Sequence, residues 1–276
     1  NIRKKDVKHL FVNTLATVLT NNIDIIIISK FVGLDSVVIY STYNYFVEAI
    51  KQFIDKISGA TFSGIGDILL ESKERALQIF NEFNGMMFFL ATIICVPFFF
   101  VINQFINIWY EGKIFTSTVL AILFTIILFY QIIRTPLKVF TISSGKFKEI
   151  KIFVIIEIIL NLGLSLILVN HFGIPGVLFG TVISLLIADF MTKPFVTFKK
   201  ILDYKPYKYY LVCIANFIFC FLEIFLANII FKTEYSSILE CFLYGSIIGI
   251  LNLIISGIYF YLTNQLGFLK RLKKGE

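Results

Sequence analysis

Asn44, Glu48, Lys51 and Asp55 advance along the chain by four, three and four residues. On a helix that turns about 100° per residue, these positions stay within about 60° of one another. They form one polar face, on which Glu48–Lys51 and Lys51–Asp55 lie within pairing reach. Lys56 falls off it. The stretch that carries them, VVIYSTYNYFVEAIKQFIDKISGATFSGI, is otherwise largely apolar. A charge at the centre of a bilayer costs about 2.5–3.5 kcal/mol on insertion scales. Such a face therefore turns toward protein or a watery cavity. Its chemistry suits the binding of a polar or anionic cargo, or of a coupling ion; the plainer alternative is a set of structural pairs that locks a bundle.

Two further segments repeat the spacing. Asn13, Thr17, Thr20 and Asp24 share one helical face, and Glu157, Asn161 and Ser165 follow one another by a turn. Arg134 and Lys138 flank Pro136. They read either as an anchor at the membrane edge or as a basic lip that meets a phosphate. Asp189 and Lys193 make an i,i+4 pair of interfacial character, and Glu223 stands alone in an apolar run. A lone acid there is protonated, partnered by another helix, or functional.

The remaining chemistry is sparse. With two histidines in the chain, a His-based metal site is not expected. The four cysteines, Cys95, Cys213, Cys220 and Cys241, form no CxxC pair and read as small buried hydrophobes. Neither a Gly-rich phosphate loop nor a nucleophile elbow is present. The expectation is a protein that is not an enzyme and needs no cofactor or metal.

The elements that must hold these faces follow from composition. The chain has 276 residues, 58% apolar and 16% charged, with a mean hydropathy of +0.85. Soluble domains run nearer ~25% charged, so the bilayer is the expected solvent. A crossing helix needs about 20 residues. Eight segments qualify: 10–31, 36–64, 83–103, 115–133, 150–170, 174–192, 209–231 and 238–263. The second of these is the weakest, because it carries the charged stripe. The expected fold is all-α, a polytopic membrane bundle of about eight transmembrane helices.

Basic residues orient it. With eight crossings and a cytoplasmic N-terminus, the clusters at 3–8, 73–75, 134–151, 193–208 and 270–274 fall inside. Only Lys30, Lys113 and Lys232 fall outside, a strong positive-inside bias that puts both termini in the cytoplasm. The net charge of +7 is thereby assigned to loops that meet anionic lipid headgroups rather than nucleic acid. Trp109 and Tyr110 suit an interfacial belt. The loops are too short for a catalytic domain. The chain begins with Asn and shows no cleavable signal pattern, so it is expected to start partway through a longer protein.

Glycine placement marks the helix contacts. Gly176, Gly180, Ser184 and Ala188 recur at every fourth position behind a tight FGIP hairpin. In lipid, small residues let helix backbones approach closely, so this strip is expected to face a neighbour, either as ordinary packing or as a sliding surface.

Two stretches carry a resemblance. TNNIDIIIISKFVGLDSVVIYSTYNYF (20–46) and NLGLSLILVNHFGIPGVLFGTVISLL (161–186) resemble segments in the second lobe of bacterial polysaccharide and oligosaccharide-lipid flippases. FSGIGDILLESKERALQIFNEFN resembles the inter-helix loop of that family, which belongs to the multidrug/oligosaccharidyl-lipid/polysaccharide exporter superfamily. The resemblance implies the second lobe of a MATE/flippase-like fold, with residues 1–200 as a six-helix lobe and 201–276 as two additional helices and a basic tail. It further implies a bacterial cytoplasmic-membrane protein that moves undecaprenyl-diphosphate-linked oligosaccharide by alternating access. The partners would be the lipid-linked oligosaccharide, membrane lipids, a proton or sodium ion, and an N-terminal lobe outside this chain. Lys51, Arg134 and Asn44 are the expected cargo-binding residues; Asp24, Glu48, Asp55 and Glu157 are those expected to couple the ion. The alternatives are a multidrug or cation exporter of the same superfamily, a membrane-embedded polysaccharide polymerase or ligase, and a membrane scaffold.

Overall fold

In the computed structural model, residues 22–231 and 237–267 are described, with the side chains of 147–149 and 151 excepted. Every regular element among them is helical. The first, α1, covers 22–31. It closes on Gly33, whose φ of 122° an L-residue side chain would resist. Next come α2 (Leu34–Gly59), α3 (Phe62–Glu71) and α4 (Lys73–Trp109). Then follow α5 (Thr118–Ile133), α6 (Thr135–Ser143), α7 (Phe147–Phe172) and α8 (Ile174–Ser184), with α9 (Lys193–Val196), α10 (Tyr207–Ile230) and α11 (Ile238–Leu262) completing the set. Wide π-helical turns, Leu185–Phe190 and Thr197–Leu202, flank α9.

Six stretches are long and apolar enough to cross a membrane: Lys73–Trp109, Thr118–Ser143, Ile152–Phe172, Ile174–Leu202, Tyr207–Ile230 and Ile238–Leu262. The chain is an all-helical bundle of the multi-pass membrane kind. Two of the eight expected segments are not in this set. For the first, residues 10–21 lie outside the described residues, as do Asn13, Thr17 and Thr20. The second is not one helix: α2 stops at Gly59, and a turn closed by Thr61 N–H donating to Ser58 O leads into α3. Its charges also keep it below the hydropathy of the other six. At the other extreme, α4 is 37 residues long, about 55 Å at 1.5 Å per residue, and outruns a ~30 Å hydrocarbon layer.

Ser72 starts α4. Its backbone is extended and its hydroxyl accepts the Arg75 N–H at 3.1 Å, so the side chain satisfies a donor the first turn leaves open. Ser72→Ala is expected to cost about 0.5–2 kcal/mol, seen as faster hydrogen exchange confined to the first turn of α4.

Burial sorts the helices. The most apolar window of Thr118–Ser143 is 67% buried, whereas those of α7, α10 and α11 are 11%, 22% and 17% buried. The α5–α6 span is therefore the axis. α4 packs along it and also against α11, while α2 and α8 pack against α5. Around the axis, Phe80, Phe88, Phe124 and Phe140 are almost wholly buried. Phe80 meets Phe140 and Phe198 edge-on, with centroids 5.1 and 5.0 Å apart. The outer faces of α7, α10 and α11 expose Ile, Leu and Phe, as lipid-facing helices do.

α7 and α8 make the closest pair. Gly173 turns the chain at φ 61°, and Gly176 and Gly180 then lie directly on the α7 backbone. The small-residue strip thus packs against α7, except that Ser184 reaches a polar cavity.

At one end of the bundle, Lys73 Nζ donates to Ile201 O at 2.7 Å and Lys146 Nζ donates to Lys200 O. Ser143 Oγ donates to Phe62 O at 2.8 Å. These contacts gather three of the basic clusters, at 73–75, 134–151 and 193–208, at the same end.

Candidate functional site

Polar faces from separate helices meet inside the bundle. A cavity of about 430 Å³ lies among α1, α2, α5, α7 and α8. α2 contributes Tyr40, Asn44, Glu48 and Lys51, spaced so that one helical face is turned inward. α1 contributes Asn22 and Asp24; Gln131 of α5 and Arg134 just beyond it line another side; Glu157 and Asn161 come from α7, and Thr181 and Ser184 from α8. Of the seven residues expected to act in a site, Asp24, Asn44, Glu48, Lys51, Arg134 and Glu157 line this one cavity.

The seventh does not. Asp55 lies two turns further along α2 than Glu48 and pairs with Lys138 of α6 at 2.8 Å, outside the cavity lining. The expected Lys51–Asp55 pair is absent from the ion pairs of the described residues. Lys51 instead holds both carboxylate oxygens of Glu48 at 3.0 Å. The physical reason is distance along the axis: α6 brings an ammonium to the end of α2, and Lys51 is left to its nearer partner.

Asp24 sits in a net of neutral oxygens. Its Oδ2 accepts from Tyr40 OH at 3.1 Å and from Thr181 Oγ1 at 3.2 Å. Asn161 Nδ2 donates to Thr181 Oγ1 at 2.9 Å. Asp24 Oδ1 and Asn161 Oδ1 are both buried without a hydrogen-bond partner. Buried acceptors are ordinarily satisfied, so these two residues, linked through Thr181, each keep an acceptor oxygen that a donor or a hard cation would satisfy. Ser165, the third residue of the α7 polar series, does not join them. It is buried against α8 and donates to Val177 O at 3.3 Å.

Below Glu157 the charges interlock. Lys193 Nζ lies 3.0 Å from Glu157 Oε2 and also pairs with Asp189. Arg134 Nη1 lies 3.9 Å from Glu157 and 3.8 Å from Asp189. Tyr130 OH donates to Asp189 Oδ2 at 2.8 Å. The Asp189–Lys193 pair is one part of a larger network inside the bundle: the Asp189 side chain is only 2% exposed. The π-helical turn at Leu185–Phe190, marked by Met191 N–H donating to Leu186 O at 3.2 Å, re-aims Asp189 toward Tyr130 and Arg134. The sequence holds the i,i+4 spacing but no signal of that turn.

Arg134 also lines a second cavity of about 300 Å³, together with Lys138, Asp189 and Lys193. It thus stands between two polar spaces. Its ion-pair distances exceed hydrogen-bond length, so the guanidinium keeps donor capacity toward either one. A third, apolar cavity of about 280 Å³ shares Ile127 and Leu185 with the polar one and extends to Phe217 and Phe221 of α10. Sequence reasoning had not singled out Tyr40, Gln131 or Tyr130. Only Tyr40 carried a signal, because it precedes Asn44 by one helical turn.

No protein-family model, curated protein or solved structure matches the chain.

Proposed function

We propose that the chain is the second lobe, with a following helix pair, of a transporter that carries lipid-linked oligosaccharide across a bacterial cytoplasmic membrane. One observation supports this reading above the rest. Charged side chains from α1, α2, α7 and the α5–α6 junction, with neutral polar ones from α5 and α8, converge on one cavity inside an otherwise apolar bundle. Membranes tolerate such charges where they serve a pathway. Lys51 and Arg134 are the proposed contacts for the diphosphate or acidic sugars, with Asn44 as a hydrogen-bonding partner. The apolar cavity that shares a wall with the polar one suits a cargo that is half polar and half hydrocarbon.

The coupling ion, sodium or a proton, is proposed at Asp24, where the two orphan oxygens of Asp24 and Asn161 would be satisfied by it. Glu48 and Glu157 compete with the cargo anion for Lys51 and Arg134. Asp55, bound to Lys138 outside the cavity, is reassigned to holding α2 against α6. In this reading α2 also crosses the membrane and the chain makes eight spans with cytoplasmic ends; the partner lobe completes the pathway.

The test uses the full-length protein in cells that depend on it for surface polysaccharide. A charge-assisted contact is worth about 1.5–3 kcal/mol, or roughly ten- to hundredfold in affinity. Lys51→Ala is expected to cut export on that scale at limiting cargo, and Asp24→Asn to remove its dependence on the ion gradient. Normal export by both variants, at normal protein level, would overturn the assignment.

A further inference from the structure

Outside the cavity, Glu223 is an acid buried in an apolar span. It lies about two-thirds of the way along α10. Its partners come from α11. Ser256 Oγ is 3.1 Å from both carboxyl oxygens, Asn252 Nδ2 is 3.4 Å from Oε2, and Ser256 Oγ is 3.4 Å from Asn252 Oδ1. All three side chains are buried. The titratable neighbour is the thiol of Cys220, one turn earlier on α10, which in turn faces Cys95 and bonds Thr92, both of α4. Among the described residues no Lys, Arg or His forms an ion pair with Glu223.

Counting donors decides the protonation state. An ionised Glu223 would be a bare charge facing neutral groups in hydrocarbon, which costs several kcal/mol or more. Asn252 Oδ1 and the Glu223 carboxylate would also compete for the one hydroxyl hydrogen of Ser256. With a proton on Oε1 the three groups close a ring. Glu223 Oε1–H donates to Ser256 Oγ, Ser256 Oγ–H donates to Asn252 Oδ1, and Asn252 Nδ2–H donates to Glu223 Oε2. Each group then gives one hydrogen bond and takes one, with no net charge left in the lipid.

We propose that Glu223 is a proton-binding site in its own right, a neutral carboxylic acid that clasps α10 to α11 and is open to modification by a lipid-soluble carbodiimide. This site is independent of the polar cavity and of the transport reading. The reaction requires the acid form: the carboxyl proton passes to one carbodiimide nitrogen while the carboxyl oxygen bonds the central carbon. The acyl group then shifts from that oxygen to the other nitrogen, giving an N-acylurea, and nothing leaves.

The experiment treats the full-length protein, in membrane vesicles, with dicyclohexylcarbodiimide, and maps adducts by mass spectrometry. An adduct on Glu223 at neutral pH that declines as pH rises, and is lost in Glu223→Gln, is the expected result. An adduct whose formation sodium suppresses at constant pH would overturn the neutral ring and make this a cation site. Because the reagent must also fit, infrared difference spectra of the wild type and Glu223→Gln decide the matter separately. Loss of a carboxylic-acid C=O band upholds the proposal; loss of a carboxylate band alone overturns it.

Discussion

Replacing Asp189 with Ala is expected to destabilise the folded bundle by about 3 kcal/mol, near the low end of the ~3–5 kcal/mol range for removing one partner from a buried pair. Asp189 accepts from Tyr130 at 2.8 Å, pairs with Lys193, and lies 3.8 Å from Arg134. Its loss leaves two cations to share Glu157, and a buried phenol without its acceptor. The low end applies because Arg134 and Lys193 keep 26% and 18% of their side-chain surface, so water can meet part of the orphaned charge. Asp189→Asn preserves the Tyr130 hydrogen bond but not the ion pairs, so it separates shape from charge. Thermal unfolding in detergent would rank the variants wild type, Asn, then Ala. Combining Asp189→Ala with Glu157→Gln should be clearly non-additive, because both carboxylates serve the same two cations. Additive losses would show the four charges to be independent pairs rather than one network.

The second large effect is steric. A β-carbon on Gly176 would collide with the carbonyl of Leu168 and stand 3.0 Å from the Val169 nitrogen. One on Gly180 would stand 2.7 Å from the Ser165 nitrogen. These are backbone atoms, which cannot rotate aside, so the α7–α8 contact must open. Ala favours a helix over Gly by about 1 kcal/mol, yet overpacking costs about 1–3 kcal/mol, and more when the obstacle is backbone. Gly176→Ala is therefore expected to be destabilising despite its better propensity. Gly163→Ala, in the same helix pair with nothing within 4 Å of the new methyl, is the control and should be neutral or stabilising by up to about 1 kcal/mol. Unfolding midpoints for the two variants should move in opposite directions, or at least differ by a few degrees. A stabilised Gly176→Ala would mean that α7 and α8 are not in close contact in the membrane.

How much of this was legible beforehand depends on the range over which each feature is encoded. Helical periodicity is local, so four residues spaced by four, three and four had to share a face. That face is the one α2 turns into the cavity through Asn44, Glu48 and Lys51. The Glu48–Lys51 pair was readable for the same reason. So was the close packing behind the glycine strip, since small residues recurring at every fourth position share one helix face on which a neighbouring backbone can approach. The thiols were also readable as buried and unpaired.

The partners that cross from one helix to another were not readable. Asp55 chose Lys138, 83 positions away, over the nearer Lys51. Lys193 reached Glu157, 36 positions away, as well as Asp189. The break after Gly59 and the π-helical turn that swings Asp189 inward left no period to detect.

The sequence by itself determined that this chain is helical, built for an apolar solvent, and striped with charge on particular helix faces, because those properties depend on residue type and a 3.6-residue repeat. The tertiary structure alone decided which stripes share one cavity, which carboxylate answers which cation, and that Glu223 is met by Ser256 and Asn252. Those outcomes depend on where α5 and α6 place their neighbours, and no local spacing records the distance between two helices.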